Sequence, residues 1–176
     1  MTTVVLTGFM GTGKTSVGER LAARLSQPFV DTDALIEQRA GRPIAAIFAA
    51  DGEATFRSAE RRAIAEAVAV PGAVIATGGG AIADADNLAT LRAAAPIVCL
   101  TARPDVILAR TQTGGPVRPL LQGDDPARRV AELLAQRAAA YAEADLILDT
   151  SERTIDDLVA DIEAFLRGRA ASGAPA

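Results

Sequence analysis

The chain has 176 residues, of which 49% are hydrophobic and 23% are charged, so it is long and apolar enough to form one globular domain with its own core. Its formal net charge of -4 argues against a nucleic-acid backbone or an anionic membrane surface as a partner, because both repel an acidic protein. It contains no histidine and a single cysteine, which excludes Ser-His catalysis, Cys-His catalysis and an intrachain disulfide.

The first predicted elements are a strand, a glycine-rich loop and a helix. Residues 4–6 form an apolar run, and apolar residues recur at helical spacing over residues 17–25. Between them, residues 8–15 match G-x-x-x-x-G-K-[ST], the phosphate-binding P-loop pattern, in which glycines let backbone N–H groups surround phosphate oxygens. The nucleotide-binding residues predicted here are Gly11, Thr12, Gly13, Lys14, Thr15 and Ser16.

Two side chains of this loop carry specific chemistry. Lys14 is the only lysine among eighteen basic residues, and a compact point charge at this position suits the terminal phosphates of a nucleotide. The hydroxyl of Thr15 is expected to bind Mg²⁺.

A second short strand, residues 28–30, is followed by two aspartates, Asp31 and Asp33. Ligands of open α/β sheets bind at the carboxyl ends of the strands, so both aspartates are candidate site residues. The helix that begins beside them is expected to end at Gly41.

The next segment is predicted to contain a short helix, a turn and a longer helix, at residues 43–50, 51–53 and 54–69. Arg57 and Glu60 lie three residues apart on the longer helix and therefore share one face.

The remaining strands alternate with helices, which is the pattern of a parallel sheet. Three successive glycines, Gly78, Gly79 and Gly80, follow the third strand and would let a ligand approach the backbone closely. The strands are expected at residues 73–76, 97–100 and 146–148, and the helices at residues 84–94, 104–110, 125–144 and 154–167.

Two segments lack periodicity. Residues 111–125 are rich in turn-forming residues and carry Arg118, and a loop of this length in a compact domain is typical of a functional segment. Residues 169–176 are small or polar, and we expect them to form a disordered tail after a single domain of residues 1–168.

As an ordered set, these motifs resemble shikimate kinases. The resemblance covers roughly residues 3–167 and implies a three-layer α/β sandwich of the P-loop NTPase type, with a five-stranded parallel sheet and a mobile lid over about residues 112–124. The implied reaction is transfer of the γ-phosphoryl group of ATP to the 3-hydroxyl of shikimate. The motifs that carry the resemblance are the P-loop, Asp31-Thr32-Asp33, Gly52-Glu53, Phe56-Arg57 with Glu60, Gly78-Gly79-Gly80, Arg118-Pro119-Leu120-Leu121, and Arg137 with Tyr141.

The resemblance also implies roles for individual residues at the acceptor. Arg57 and Arg137 match the positions that bind the substrate carboxylate, and Glu60 would orient Arg57. Asp33 matches the residue that holds the substrate hydroxyls and accepts a proton, and Asp31 matches the one that supports Mg²⁺ through its water shell. The residues predicted to bind shikimate are Asp33, Arg57, Gly78, Gly79, Gly80 and Arg137.

On the nucleotide side, Arg118 matches an arginine finger in the lid, which neutralises charge on the transferring phosphoryl group. By the same resemblance, Arg110 lies against the adenine, and the loop after Asp149, with Arg153, lines its other side. Asp33, Lys14 and Arg118 are therefore the predicted catalytic residues.

Each assignment has a purely structural alternative. The pair of Arg57 and Glu60 could lie exposed on its helix, Arg137 could be a solvated helix residue, and Asp33 could merely cap its helix. Family members usually have a proline between the residues that match Arg137 and Tyr141. This chain has alanines at residues 138–140, so a straighter helix that displaces Arg137 is also conceivable.

Two other functions stay open from the sequence: another small-molecule P-loop kinase, such as a gluconate kinase, or a nucleotide-binding module that has lost catalysis. The paired aspartates, the triple glycine and the Arg118 motif favour the shikimate reaction. We expect Mg²⁺ as the cofactor, ATP and shikimate as ligands, a monomer, and neither nucleic acid nor a membrane as a partner. Because no apolar stretch approaches the length of a membrane span, we expect a cytoplasmic location.

Overall fold

The computed structural model describes residues 2–112 and 125–172, and within them a parallel sheet is the central layer. Its strands are β1 (Val4–Gly8), β2 (Phe29–Asp31), β3 (Val74–Ala76), β4 (Ile97–Thr101) and β5 (Leu146–Asp149). They lie in the order β2-β3-β1-β4-β5, and each neighbouring pair is parallel. The three-layer sandwich and five-stranded parallel sheet expected from the sequence are therefore confirmed.

Helices connect the strands and cover both faces of the sheet. They are α1 (Lys14–Leu25), α2 (Thr32–Ala40), α3 (Ile44–Val68), α4 (Ala85–Ala94), α5 (Pro104–Gln112), α6 (Pro126–Tyr141) and α7 (Ile155–Ala171). A 3-10 turn, Ala81–Ala83, lies between β3 and α4.

Alternate residues of β1 show how the two faces form. Val5 packs with residues of α3, α4, α5 and α6 on one face, whereas Val4 and Leu6 pack with α1 and α7 on the other. Successive side chains of a strand point to opposite faces, so a continuous apolar run is what a strand buried on both sides requires.

The break in α3 has a clear backbone cause. Gly52 has φ 78° and ψ 176°, which lies outside the helical region and is accessible mainly to glycine. The predicted turn at residues 51–53 is therefore confirmed, and the longer helix that follows carries Arg57 and Glu60.

The helix termini follow from local side chains. Gly41 ends α2 with φ 64°, Asp125 caps α6 just before Pro126, and Thr154 with Asp157 forms a capping box at α7. The tail prediction needs one correction: α7 continues to Ala171, so residues 169–171 are helical.

The longer α7 has a physical reason. Arg169 forms an ion pair of 3.4 Å with Asp145, and its guanidinium lies 5.7 Å from the centre of the Phe165 ring. The ion pair joins the last turn of the helix to the residue before β5, and the Phe165 contact supports this turn from within the helix. Among the described residues, no helix combines the length and hydrophobicity that crossing a bilayer requires.

Candidate active site

The candidate site lies where β1, β2 and β3 end. These three strands are neighbours, and their carboxyl ends lead into the P-loop, the two aspartates and the triple glycine. Because all three strands run in the same direction, these segments meet at one edge of the sheet.

The P-loop has the backbone geometry that its glycines predict. Gly8, Gly11 and Gly13 have φ of 131°, 78° and 92°, values that other residues rarely adopt. A Cβ atom at Gly8 would overlap the carbonyl group of Leu100, so this glycine is also needed for close packing against β4.

Two side chains stabilise the loop from within. The amine of Lys14 donates to the carbonyl oxygens of Gly8 and Phe9, at 2.9 and 3.0 Å. The buried hydroxyl of Thr12 donates to the same Phe9 oxygen at 2.7 Å. The loop is therefore held in shape before any phosphate binds. Ser16 lies exposed in the first turn of α1.

Asp31 joins the P-loop to α2. Its Oδ1 accepts from the backbone N–H groups of Asp33 and Ala34, at 3.0 and 3.2 Å, and its Oδ2 accepts from the hydroxyl of Thr15 at 3.0 Å. Asp31 is thus the cap of α2, and the alternative that Asp33 merely caps this helix is wrong.

Thr15 and Asp31 are also the candidate ligands for a metal ion. Among the described residues there is no group of three or more acidic, cysteine or histidine side chains that could hold one. A hydroxyl beside a single carboxylate suits Mg²⁺, which keeps several waters and binds phosphate oxygens in nucleotide sites. The donor set is therefore compatible with Mg²⁺ bound together with a nucleotide.

Asp33 places a buried carboxylate in the cleft. Its Oδ1 is buried and has no hydrogen-bond partner among the residues that the structure describes. Burial is the largest cause that raises the pKa of Asp33 to about 6; the charges of Asp31, Glu60 and Glu37 contribute to this rise, and the charge of Lys14 opposes it. A carboxylate of this kind can accept a hydrogen bond or a proton from a hydroxyl group near neutral pH.

Arg57 is held by two glutamates. Its Nη1 donates to Oε2 of Glu60 at 2.8 Å, and its Nε and Nη2 donate to Oε1 of Glu53 at 3.3 and 3.2 Å. The side chain of Glu60 is only 1% exposed, which makes it the fixed partner, whereas that of Glu53 is 68% exposed. The alternative of an exposed helix pair is therefore wrong for Arg57 and Glu60.

Arg137 comes from α6 and reaches the same place. Its Nη1 donates to the carbonyl oxygen of Gly79 at 3.0 Å, and its guanidinium lies 5.4 Å from the centre of the Phe9 ring. α6 runs to Tyr141 through the three alanines, with Arg137 still in contact with the glycine segment. The alternatives of a solvated or displaced Arg137 are therefore wrong.

The triple glycine is the point where these side chains converge. A Cβ atom at Gly78 would lie 2.7 Å from Oδ1 of Asp33, and one at Gly80 would lie 3.4 Å from both Nη2 of Arg137 and Nη1 of Arg57. The glycines therefore leave room for a carboxylate and two guanidinium groups to face one small space.

We expect Gly78→Ala to lower kcat by about tenfold or more, because the new methyl group would displace the Asp33 carboxylate from its place in the cleft. The matched control is Gly168→Ala, since a Cβ atom there meets nothing within 4 Å and alanine favours a helix. Steady-state kinetics and thermal unfolding of both variants check this. Equal activity of the two variants would contradict it.

The nucleotide-side predictions have different outcomes. Arg110 donates from Nη1 to the carbonyl oxygen of Gly11 at 3.3 Å and from Nη2 to that of Thr150 at 2.7 Å, so it connects the P-loop to the loop after β5. Arg153 instead pairs with Asp161 at 2.8 Å, on α7. Arg118 and most of the predicted lid lie outside the described residues.

Three contacts of the site were not predicted from the sequence. The buried hydroxyl of Thr32 accepts from the N–H of Gly78 at 3.3 Å, Phe9 lies beneath Arg137, and Thr150 accepts from Arg110. Phe9 and Thr150 gave no signal, because their roles depend on chain segments far away in sequence. Thr32 could have been found from its place between the two aspartates.

Comparisons with known proteins agree with this geometry. The shikimate kinase family model matches residues 10–167. The shikimate kinase of Geobacter sulfurreducens is 48% identical over 164 residues, which cover 93% of this chain and 90% of that protein. A shikimate kinase structure from Acinetobacter baumannii, in complex with shikimate, aligns with a TM-score of 0.89 and 34% identity over 96% of this chain and 94% of that one.

A more distant likeness concerns the fold alone. A gluconokinase structure from Sinorhizobium meliloti aligns with a TM-score of 0.55 and 19% identity, over 90% of this chain and 87% of that one. The layered sheet is thus shared with P-loop kinases of other small molecules.

Proposed function

This chain belongs to the shikimate kinase family, and we propose that its cleft transfers the γ-phosphoryl group of ATP to the 3-hydroxyl of shikimate. One observation carries this function: two guanidinium groups and a buried carboxylate converge on the triple glycine, beside a phosphate-binding loop. An anionic polyol that accepts a phosphoryl group needs this combination of groups.

At the acceptor, Arg57 and Arg137 bind the carboxylate of shikimate. Glu60 supports Arg57, and the Gly79 carbonyl supports Arg137, so both guanidinium planes are oriented before the substrate arrives. The net charge of the protein is negative, so these two arginines supply the local attraction for an anion.

Asp33 takes the role of the base. Its buried Oδ1 has no partner among the described residues, so a substrate hydroxyl could satisfy it and lose its proton to it. Asp33 also orients that hydroxyl for in-line attack on the γ-phosphorus.

At the donor, the backbone of the P-loop and Lys14 bind the phosphates of ATP. Lys14 would exchange its carbonyl partners for phosphate oxygens and stabilise the charge that builds up on them. Thr15 and Asp31 would hold Mg²⁺, which, when bound with ATP, neutralises part of the phosphate charge. Arg110 donates to the carbonyl oxygen of Gly11 in the P-loop, and this contact supports the proposal that Arg110 lies beside the adenine base of ATP.

Several assignments stay predictions. They are the arginine finger at Arg118, the lid over about residues 112–124, an adenine contact by Arg153, the monomeric state and the cytoplasmic location. The ion pair of Arg153 with Asp161 means that it would have to leave this partner to reach a nucleotide.

The test of this function is release of ADP from ATP with Mg²⁺ and shikimate, compared with gluconate, with a nucleoside monophosphate and with no acceptor. We expect turnover with shikimate at the highest kcat/KM. A higher value with gluconate would assign another small-molecule kinase, and ATP binding without turnover on any acceptor would indicate a silent nucleotide-binding module.

Arg57→Ala and Arg137→Ala should each raise the KM for shikimate by roughly thirtyfold and leave the KM for ATP nearly unchanged. A carboxylate that loses a charged hydrogen-bond partner loses about 2 kcal/mol. Arg24→Ala is the matched control, because its ion pair with Glu163 joins α1 to α7 on the opposite face of the sheet. An unchanged KM for shikimate in either cleft variant would contradict its role.

A further inference from the structure

Tyr141 shares its hydrogen-bond acceptor with Arg137. The two residues lie four apart on α6 and therefore on one face of the helix. The hydroxyl of Tyr141 donates to the carbonyl oxygen of Gly79 at 2.6 Å, and Nη1 of Arg137 donates to the same oxygen at 3.0 Å. Both lone pairs of this oxygen are thus engaged by one helix face.

This arrangement fixes one end of the Arg137 guanidinium. Its Nη1 is directed to Gly79, which leaves Nη2 beside Gly80, where Nη1 of Arg57 also lies. The direction in which Nη2 of Arg137 points therefore depends on the orientation of the Gly79 carbonyl group. Gly79 lies in a turn between β3 and the 3-10 turn, outside regular secondary structure, so its carbonyl needs a second restraint.

We propose that Tyr141 is a positioning residue for recognition of the substrate carboxylate. It holds the Gly79 carbonyl, and this carbonyl in turn directs Arg137 so that Nη2 faces the acceptor. The inference rests on the proposed function, because it assigns the orientation of Arg137 to a residue that does not itself touch the substrate.

The surroundings of Tyr141 suit this role. Tyr141 is 6% exposed and belongs to the hydrophobic core on the α3–α6 face of the sheet. Burial raises the pKa of Tyr141 to about 12, with a smaller opposing effect from Arg137, so the hydroxyl stays a donor over the working pH range.

Tyr141→Phe separates this role from simple packing. Phenylalanine fills the same space in the core, and the Gly79 oxygen keeps Arg137 as a partner, so the variant should fold with an unfolding temperature close to that of the parent chain. We expect the KM for shikimate to rise roughly three- to tenfold, while kcat and the KM for ATP change less than about twofold. Substrate-carboxylate contacts act in the ground state and the transition state alike, which is why the effect falls on KM.

A double variant shows whether Tyr141 changes the KM for shikimate through Arg137. If Tyr141 acts through Arg137, adding Tyr141→Phe to Arg137→Ala should leave the KM for shikimate unchanged relative to Arg137→Ala alone. Thr90→Val is the control for loss of a hydroxyl, because the Thr90 hydroxyl donates to the Asp86 carbonyl within α4, on the exposed surface.

Three results would overturn the inference: a parental KM for shikimate in Tyr141→Phe, full additivity of the two changes, or a fall in kcat together with a lower unfolding temperature. These outcomes are distinct from failure of the proposed function, which the parent chain alone would reveal by not phosphorylating shikimate.

Discussion

Asp33→Asn should lower kcat by at least about a hundredfold, the usual scale of a lost general base. Asparagine fills the same space and can still accept a hydrogen bond from the substrate hydroxyl, but it cannot take up its proton. The KM for shikimate should therefore change much less than kcat. Steady-state kinetics with ADP detection measure both quantities. A kcat within a few fold of the parent value would remove Asp33 from the chemistry.

The pH dependence gives an independent check on Asp33. The pKa of about 6 means that the carboxylate is mainly unprotonated above pH 6 and mainly protonated below it. A base must be unprotonated, so kcat/KM of the parent chain should fall as pH drops through about 6. The residual activity of Asp33→Asn should not show this fall in kcat/KM at low pH.

Thermal unfolding serves as the folding control for the same variant. The folded-state pKa of Asp33 lies above its ordinary value of 3.8, so the folded state disfavours the charged form, and stability is lost as pH rises towards and through about 6. Asp33→Asn removes this cost, so its unfolding temperature should exceed that of the parent at pH 8, with a smaller difference at pH 5. A lower unfolding temperature at pH 8 would instead mean that asparagine damages the cleft.

Lys14→Ala should lower kcat by about a hundred- to a thousandfold, which is the usual cost of removing one charge-stabilising donor from a preorganised site. The amine lies inside the P-loop, against the carbonyl oxygens of Gly8 and Phe9, and is therefore part of the loop that would surround the phosphates. The measurement is kcat at saturating ATP and shikimate.

Lys14→Arg is the informative companion variant, because it keeps the positive charge. A planar guanidinium cannot reproduce a compact ammonium group between two carbonyl oxygens, so we expect only partial recovery of kcat. Full recovery would show that charge alone is needed, and parental activity of Lys14→Ala would exclude the lysine from the mechanism.

Much of the fold could be predicted because local patterns determine it. The apolar runs of β1 and β4 are buried on both sides and therefore visible in the sequence, and the glycine at residue 52 marks the break in α3. Helix ends were less certain. Asp31 and Asp33 are equally good caps by residue type, and only the end of β2 decides that Asp31 has this role.

The site was harder to predict from residues alone. Arg57 and Arg137 are eighty positions apart, and no periodicity in the sequence shows that both side chains face Gly80. Only the family resemblance predicted that they lie in one site. The joint contact of Tyr141 and Arg137 with Gly79 also depends on how α6 packs against the end of β3. Such contacts are properties of the packed domain.

The single lysine gives this chain an unusual handle for chemical labelling. An amine-directed acylating reagent has one side-chain target in 176 residues, and that target is the P-loop amine that contacts Gly8 and Phe9. Acylation of Lys14 would abolish its charge, so each molecule that is acylated at this side chain would be inactivated. Mass spectrometry of the peptide that carries Lys14 would then report nucleotide occupancy as the fraction left unlabelled, because a bound phosphate shields this amine.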